Sequence, residues 1–224
     1  MAVPGVSAVY VVTDDKRIAD AATAFDAKVL MTSSDCRNGT ERCAEAVAML
    51  EQAPSVVVNL QGDAPLTPSW YVADLISAMR QDPQISVATP VLRCTGRHLA
   101  KLKSDRRAGR VGGTTAVFDH LRNALYFSKE VMPFTAETYV DDAETPVYHH
   151  VGVYAYTPEA LTRYMALPPS LYERLEGLEQ LRFVENGIAV KCVEVPARGH
   201  EFWELNNPSD IEIIETILRE RGLE

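Results

Sequence analysis

A carboxylate set where a buried strand breaks is the first place in this chain that points to chemistry. Ser55 to Pro68 reads Ser-Val-Val-Val-Asn-Leu-Gln-Gly-Asp-Ala-Pro-Leu-Thr-Pro. The valine run is too short and too β-branched for a helix, so it reads as a strand buried on both faces. It breaks at Gly62, Asp63 and Pro65, and Thr67 as N-cap with Pro68 at the first helical position announces a helix. Ligands of open α/β sheets bind outside the carboxyl ends of the strands, which is where Gln61 and Asp63 stand. Asp63 suits a hard cation such as Mg²⁺. A turn hydrogen bond accounts for the same residue, and this stretch alone leaves both readings open.

Other clusters are less specific. Thr32 to Thr40 is a polar segment holding Asp35, Arg37, Asn38 and Gly39. Taken alone, its end is a helix start, with Thr40 as the cap and Glu41 and Arg42 in solvent. Seven basic residues fall between Arg93 and Arg110, opposed only by Asp105. They read as a solvated excursion, with a smaller share for anion binding. His149 and His150 are adjacent on a strand, so they face opposite ways and do not make a metal pair. Glu179, on a helix with an apolar stripe, is by itself an ordinary surface acid.

The elements that must position these residues come in two styles. In the first half, strands at Ser7–Val12, Lys28–Met31, the valine run and Ile85–Val91 alternate with helices, the pattern of a mostly parallel sheet with right-handed crossovers. The second half is β-rich. Thr114–Phe118 and Ala124–Ser128 read as an antiparallel hairpin. Tyr148 to Tyr156 reads as one strand, with Val151, Val153 and Ala155 on one face and His150, Gly152, Tyr154 and Tyr156 on the other. That aromatic face suits either a ligand pocket or another subunit, and it predicts a homodimer built around this strand. Ser170 and Glu173 form a capping box for a helix with Leu171, Leu175, Leu178 and Leu181 inward, ending at Asn186-Gly187. A strand Ile188–Val195 and a terminal helix capped by Asn207 to Asp210 complete the chain.

Composition bounds the rest. At 224 residues and 46% hydrophobic, the chain is one domain with a sizeable core. The notable region within it is 93–157, the basic excursion followed by the β-rich part. A net charge of −9 argues against a nucleic-acid partner. No apolar run approaches a membrane span, the start lacks a signal core, and four cysteines without a Cys-x-x-Cys pair read as idle thiols. A cytoplasmic location is expected.

Five segments read together give more. Cys36-Arg-Asn-Gly-Thr-Glu-Arg42, Asn59-Leu-Gln-Gly-Asp-Ala-Pro65, Ala124-Leu-Tyr-Phe-Ser-Lys129, His150-Val-Gly-Val-Tyr154 and Leu178-Glu-Gln-Leu-Arg182 occur in this order. From about residue 7 to the end, the chain resembles the 3-deoxy-manno-octulosonate (Kdo) cytidylyltransferases. The resemblance implies a three-layer, Rossmann-like α/β nucleotidyltransferase and a homodimer. It also implies Mg²⁺-dependent transfer of CMP from CTP to a sugar acid, with release of pyrophosphate. It places Asn38, Gly39, Thr40, Glu41 and Arg42 beside the cytosine and ribose, with Gln61 near both substrates. Asp63 and Asn206 become the Mg²⁺ ligands, and Lys129, His150, Glu179 and Gln180 the sugar-acid pocket.

The chain departs from the family pattern in three places. Ala64 stands where the family has Glu. Asn206 stands where it has Asp, giving a metal ligand without charge. The family's opening strand and basic phosphate loop have no counterpart, because Met1 falls where the second strand is about to start. The chain as written is therefore expected to be a poor catalyst, and a non-catalytic relative that keeps the sugar pocket or dimer surface is the alternative. Sialic acid is a weaker substrate option, and the sequence does not separate Kdo from its 8-amino analogue.

Overall fold

Short β-branched runs alternating with capped helices produce two sheets. The computed structural model describes residues 3–111, 113–199, 205, 210–220 and 222. β1 (Tyr10–Thr13) and β2 (Lys28–Met31) pair in parallel across α1 (Lys16–Thr23). After α2 (Gly39–Ala48) come β3 (Val57–Leu60), α3 (Ser69–Gln81), β4 (Val87–Thr95) and α4 (Gly96–Arg107). The β-rich half supplies β5 (Thr114–Phe118), β6 (Ala124–Ser128), β7 (Glu144–His150) and β8 (Val153–Tyr156). Then follow α5 (Pro158–Ala166), α6 (Leu171–Glu176), α7 (Leu181–Glu185), β9 (Lys191–Glu194) and α8 (Asp210–Glu220).

The second sheet runs β3-β8-β4-β7-β5-β6, with β9 added to β4. The α/β layering is as expected, but the mostly parallel sheet is not. In this sheet only β4 and β9 pair in parallel, and the other pairs are antiparallel. The cause is that β8, from the β-rich half, inserts antiparallel beside both β3 and β4. For the same reason β3 is not a strand buried on both faces. Among the described strands it pairs only with β8, and Leu60 is 54% exposed.

The apolar alternation along β8 decides the two core faces. Val151, Val153 and Ala155 pack with Tyr71, Leu75 and Met79 of α3. Tyr154 and Tyr156 pack on the other face with Leu161, Tyr164, Leu181 and Phe183 of α5 and α7. Both tyrosines are buried within the single chain, so this aromatic face does not call for a second subunit. The strand also breaks at Val151-Gly152 into β7 and β8.

Local signals account for the remaining differences. The basic stretch is not a loop: Arg93 lies in β4, and Thr95 caps α4 by accepting from the His98 N–H at 3.3 Å. Leu99 and Leu102 of α4 are buried with Cys94 and Val147, while Arg97, Lys101 and Arg107 stay exposed. Asn38, rather than Thr40, caps α2, and Pro68 is the N-cap of α3. The leucine-rich helix is interrupted by Gly177, whose φ of 64° ends α6. Leu171 and Leu175 are then exposed, and Leu181 is buried in α7. Of the cap expected for α8, positions 207–209 lie outside the described residues. No helix among the described residues is long and apolar enough to cross a membrane.

Candidate active site

The carboxyl end of β3, the N-terminus of α2, the end of β6 and the α6–α7 corner converge on a cavity of about 740 Å³. Asn38, Gly39, Gln61, Asp63, Lys129, His150, Glu179 and Gln180 all line it. Thr40, Glu41 and Arg42 do not. Thr40 Oγ1 shares a hydrogen bond with Tyr156 OH at 2.8 Å in the core. Arg42 donates to Thr32 Oγ1 at 2.7 Å and pairs with Asp14 at 3.1 Å, away from the cavity. Asn206 lies outside the described residues.

One wall is locked by charge. Asn38 caps α2 by accepting from the Glu41 N–H at 2.9 Å, and its amide donates to Tyr164 OH at 3.0 Å. Glu41 is buried and meets Arg37 at 2.7 Å and Arg182 at 3.0 Å. Arg182 is itself 1% exposed, grips Glu173 at 2.5 Å and lies 4.0 Å from the Tyr164 ring centre. Burial pushes the Glu41 carboxyl up, but the hydrogen bonds from Arg37 and Arg182 outweigh it and hold the group below its ordinary range.

Glu179 ties this wall to β3. Its two oxygens accept from the Thr40 N–H and the Gln61 side-chain amide, both at 2.8 Å. Burial is the largest influence and raises its pKa despite those bonds. Gly39 sits where side chains crowd: a Cβ there would come within 2.7 Å of Asn59 Nδ2 and 3.1 Å of Gln61 Nε2. Glycine there lets the start of α2 pack closely against the Asn59 and Gln61 side chains.

The opposite wall is neutral. His150 Nε2 lies 3.1 Å from Thr89 Oγ1, whose hydrogen goes to Val153 O at 2.9 Å. The assignment that satisfies both bonds protonates Nε2 and leaves Nδ1 an acceptor. Burial lowers the His150 pKa to about 3, so the ring is uncharged. Tyr154 OH donates to Gln180 Oε1 at 3.0 Å, and Gln180 Nε2 has no partner among the described residues.

Asp63 stands at the mouth, exposed, with its carbonyl accepting from the Leu205 N–H at 2.7 Å. No donor among the described residues is bonded to the Asp63 carboxylate, and no cluster of three His, Cys, Asp or Glu there would enclose a metal. This donor set fits Mg²⁺, which keeps several waters and takes one or two carboxylates together with substrate phosphates.

Sequence reasoning missed Arg37, Arg182 and the Tyr154 hydroxyl. Arg37 and Arg182 lie inside the quoted segments, and carboxylates stand near both, Glu41 four positions after Arg37 and Glu179 three before Arg182, but spacing alone does not show a buried, closed set. Glu41 and Arg182 are 141 positions apart, and only the fold brings them together.

The site's relatives are consistent with this geometry. The model of a family described as cytidylyltransferase matches residues 2–193. A 3-deoxy-manno-octulosonate cytidylyltransferase of Maricaulis maris (strain MCS10) is 41% identical, covering 99% of this chain and 84% of that protein. An 8-amino-3,8-dideoxy-manno-octulosonate cytidylyltransferase of Shewanella pealeana is 36% identical over 96% of this chain and 82% of its own length. Among solved structures, a CMP:2-keto-3-deoxy-manno-octonic acid synthetase complexed with CTP superposes with a TM-score of 0.81. It is 31% identical, with 98% of this chain and 83% of that chain covered. With family match, relatives and fold in agreement, this chain belongs to the cytidylyltransferase family.

Proposed function

We propose that the protein transfers CMP from CTP to 3-deoxy-manno-octulosonate, supplying an activated sugar acid for lipopolysaccharide synthesis. The observation that carries this is one cavity joining the first turn of α2 at Asn38 and Gly39, an exposed carboxylate at Asp63 and a cation at Lys129 beside a neutral polar wall. In the reaction the anomeric hydroxyl oxygen bonds to the α-phosphorus, the bond to pyrophosphate breaks, and the hydroxyl proton leaves to solvent. Gly39 and Asn38 receive the base, Lys129 faces the sugar's carboxylate, and His150, Tyr154 and Gln180 order its hydroxyls without adding charge. Asp63, with Asn206, would hold Mg²⁺, which when bound supplies charge neutralisation at the phosphates.

The test is Asp63→Asn with CTP, the sugar acid and Mg²⁺, following pyrophosphate release. Losing several kcal/mol of charge stabilisation predicts a fall on the order of a hundredfold or more, with an unchanged melting temperature. Wild-type turnover at limiting Mg²⁺ would reject the assignment. The Shewanella relative makes the 8-amino sugar the competing substrate, so the assay is run with both acids.

The same reading takes the protein as a cytoplasmic homodimer. All four cysteines are free, which suits a reducing compartment. Phe134 and Val140 are 89% and 75% exposed, apolar surface that a second copy would cover. Sedimentation of a monomer at micromolar concentration would contradict the dimer.

A further inference from the structure

The segment leaving β6 is irregular backbone, and its polar groups are met one by one by side chains. The Lys129 N–H donates to Glu176 Oε2 at 2.9 Å, and Arg106 Nε donates to the Lys129 carbonyl. The Glu130 N–H donates to Ser128 Oγ at 3.0 Å, and the Glu130 carbonyl accepts from the Thr115 hydroxyl at 2.6 Å. The Met132 N–H then donates to Thr115 Oγ1 at 3.1 Å. Backbone outside helices and sheets must find such partners or face water. Here four elements provide them: Arg106 from α4, Glu176 from α6, Thr115 from β5 and Ser128 from β6.

Two of these side chains do more than satisfy one bond. The other oxygen of Glu176 accepts from Ser128 Oγ at 2.8 Å and Tyr126 OH at 3.3 Å, so α6 is seated on β6 through one carboxylate. Arg106 also donates to the carbonyls of Arg110 and Gly113, each at 2.5 Å, and Gly113 lines the cavity. Gly177 follows Glu176 directly. A Cβ at Gly177 would lie 2.9 Å from Lys129 Nζ, and its φ of +64° disfavours any side chain there.

We infer that Arg106 and Glu176 are positioning residues which clamp the Lys129 backbone at its N–H and its carbonyl and so aim its ammonium across Gly177 into the cavity. Neither touches the substrate. The kinetic consequence rests on the reading of Lys129 as the partner of the sugar-acid carboxylate; the clamp itself rests only on the hydrogen bonds.

Glu176→Met removes the acceptor and Glu176→Gln keeps it, because the amide oxygen can face the Lys129 N–H while its NH₂ donates to the Ser128 and Tyr126 hydroxyls. The expected result is that Glu176→Met raises the KM for the sugar acid about tenfold, the scale of a small misplacement, with the KM for CTP unchanged. Glu176→Gln should stay near wild type in both. In a Lys129→Met background the Glu176→Met effect should vanish, since the side chain being aimed is gone. Additive effects, or a Gln variant as impaired as the Met variant, would overturn the proposal. Should Lys129→Met itself leave the sugar-acid KM unchanged, the carboxylate reading fails, and amide hydrogen exchange at Lys129 decides the clamp. Faster exchange in Glu176→Met supports it, and unchanged exchange refutes it. Arg106→Met, which removes the clamp from the carbonyl side, should reproduce the KM change if Glu176→Met does not fold; a wild-type KM there would also refute it.

Discussion

The two walls of the cavity are built on opposite principles. The wall formed by α2, α6 and α7 buries charge, with Arg182 closed between Glu41 and Glu173 and stacked on Tyr164. The wall formed by β4, β7, β8 and the Gln180 corner buries neutral groups, with His150 on Thr89 and Tyr154 on Gln180. In the first wall the strong donors and acceptors are spent on one another, so it acts as an anchor. The second keeps spare capacity, since Gln180 Nε2 is buried without a partner among the described residues. A closed charged set fixes geometry, whereas a neutral set with spare hydrogen-bonding groups recognises hydroxyls. The difference should be visible in stability, pH response and substrate affinity.

The largest effect is expected from breaking the charged wall. Arg182→Met keeps the apolar stem but leaves Glu173 without its guanidinium and Glu41 with Arg37 alone. Removing one partner of a buried ion set costs about 3–5 kcal/mol, because the remaining charge stays buried and unpaired. Urea unfolding should report a loss of that size. A loss under about 1 kcal/mol, the scale of an exposed pair, would mean the wall does not rest on Arg182.

Acid should attack the neutral wall first. The folded protein keeps His150 uncharged down to about pH 3, while the unfolded chain takes up the proton below the ordinary 6.5. Its contribution is therefore complete above pH 6.5 and falls as pH drops, by about 1.4 kcal/mol per pH unit. His149 is displaced in the same direction by burial. Glu41 behaves differently. Its lowered pKa gives stability that is present above the ordinary 4.5 and is lost only as pH falls further. Between pH 6.5 and 5, then, His150→Gln should flatten the stability slope. Urea midpoints at several pH values check this, and parallel slopes for wild type and His150→Gln would refute it.

The sequence carried these walls unequally. The neutral wall was legible: alternation along Tyr148 to Tyr156 separates Val151, Val153 and Ala155 from His150, Tyr154 and Tyr156, and the structure divides the two cores along that line. What the alternation did not reveal was the cover, since α5 and α7 close over the tyrosines and remove the argument for a dimer there. The charged wall was not legible. Glu41 looked solvated because its partner Arg182 is distant in sequence, and no periodicity reports such a pairing. β3 misled for a related reason: a valine run signals an apolar environment but not which strand lies beside it, and β8 arrives from far along the chain. The basic stretch misled because its charges hid the short apolar stripe of Leu99 and Leu102 that seats α4.

The smallest change that still separates the walls is Tyr154→Phe. The ring stays, stacked on Tyr156 with centroids 5.9 Å apart, so packing is preserved. What is lost is the 3.0 Å hydrogen bond to Gln180 Oε1. A neutral bond of this kind contributes about 0.5–1.5 kcal/mol, well below the cost at Arg182. Its importance lies in orientation, since the hydroxyl holds Oε1 and so fixes which way the amide faces. Without the hydroxyl the amide is free to turn, and the donor is no longer fixed. Tyr154→Phe should lower stability by about 1 kcal/mol and weaken binding of the sugar acid by about fivefold. The KM for CTP should not change, because the proposed reading sets the base against the other wall. Equal losses for both substrates would show that the neutral wall supports the whole cavity rather than one ligand.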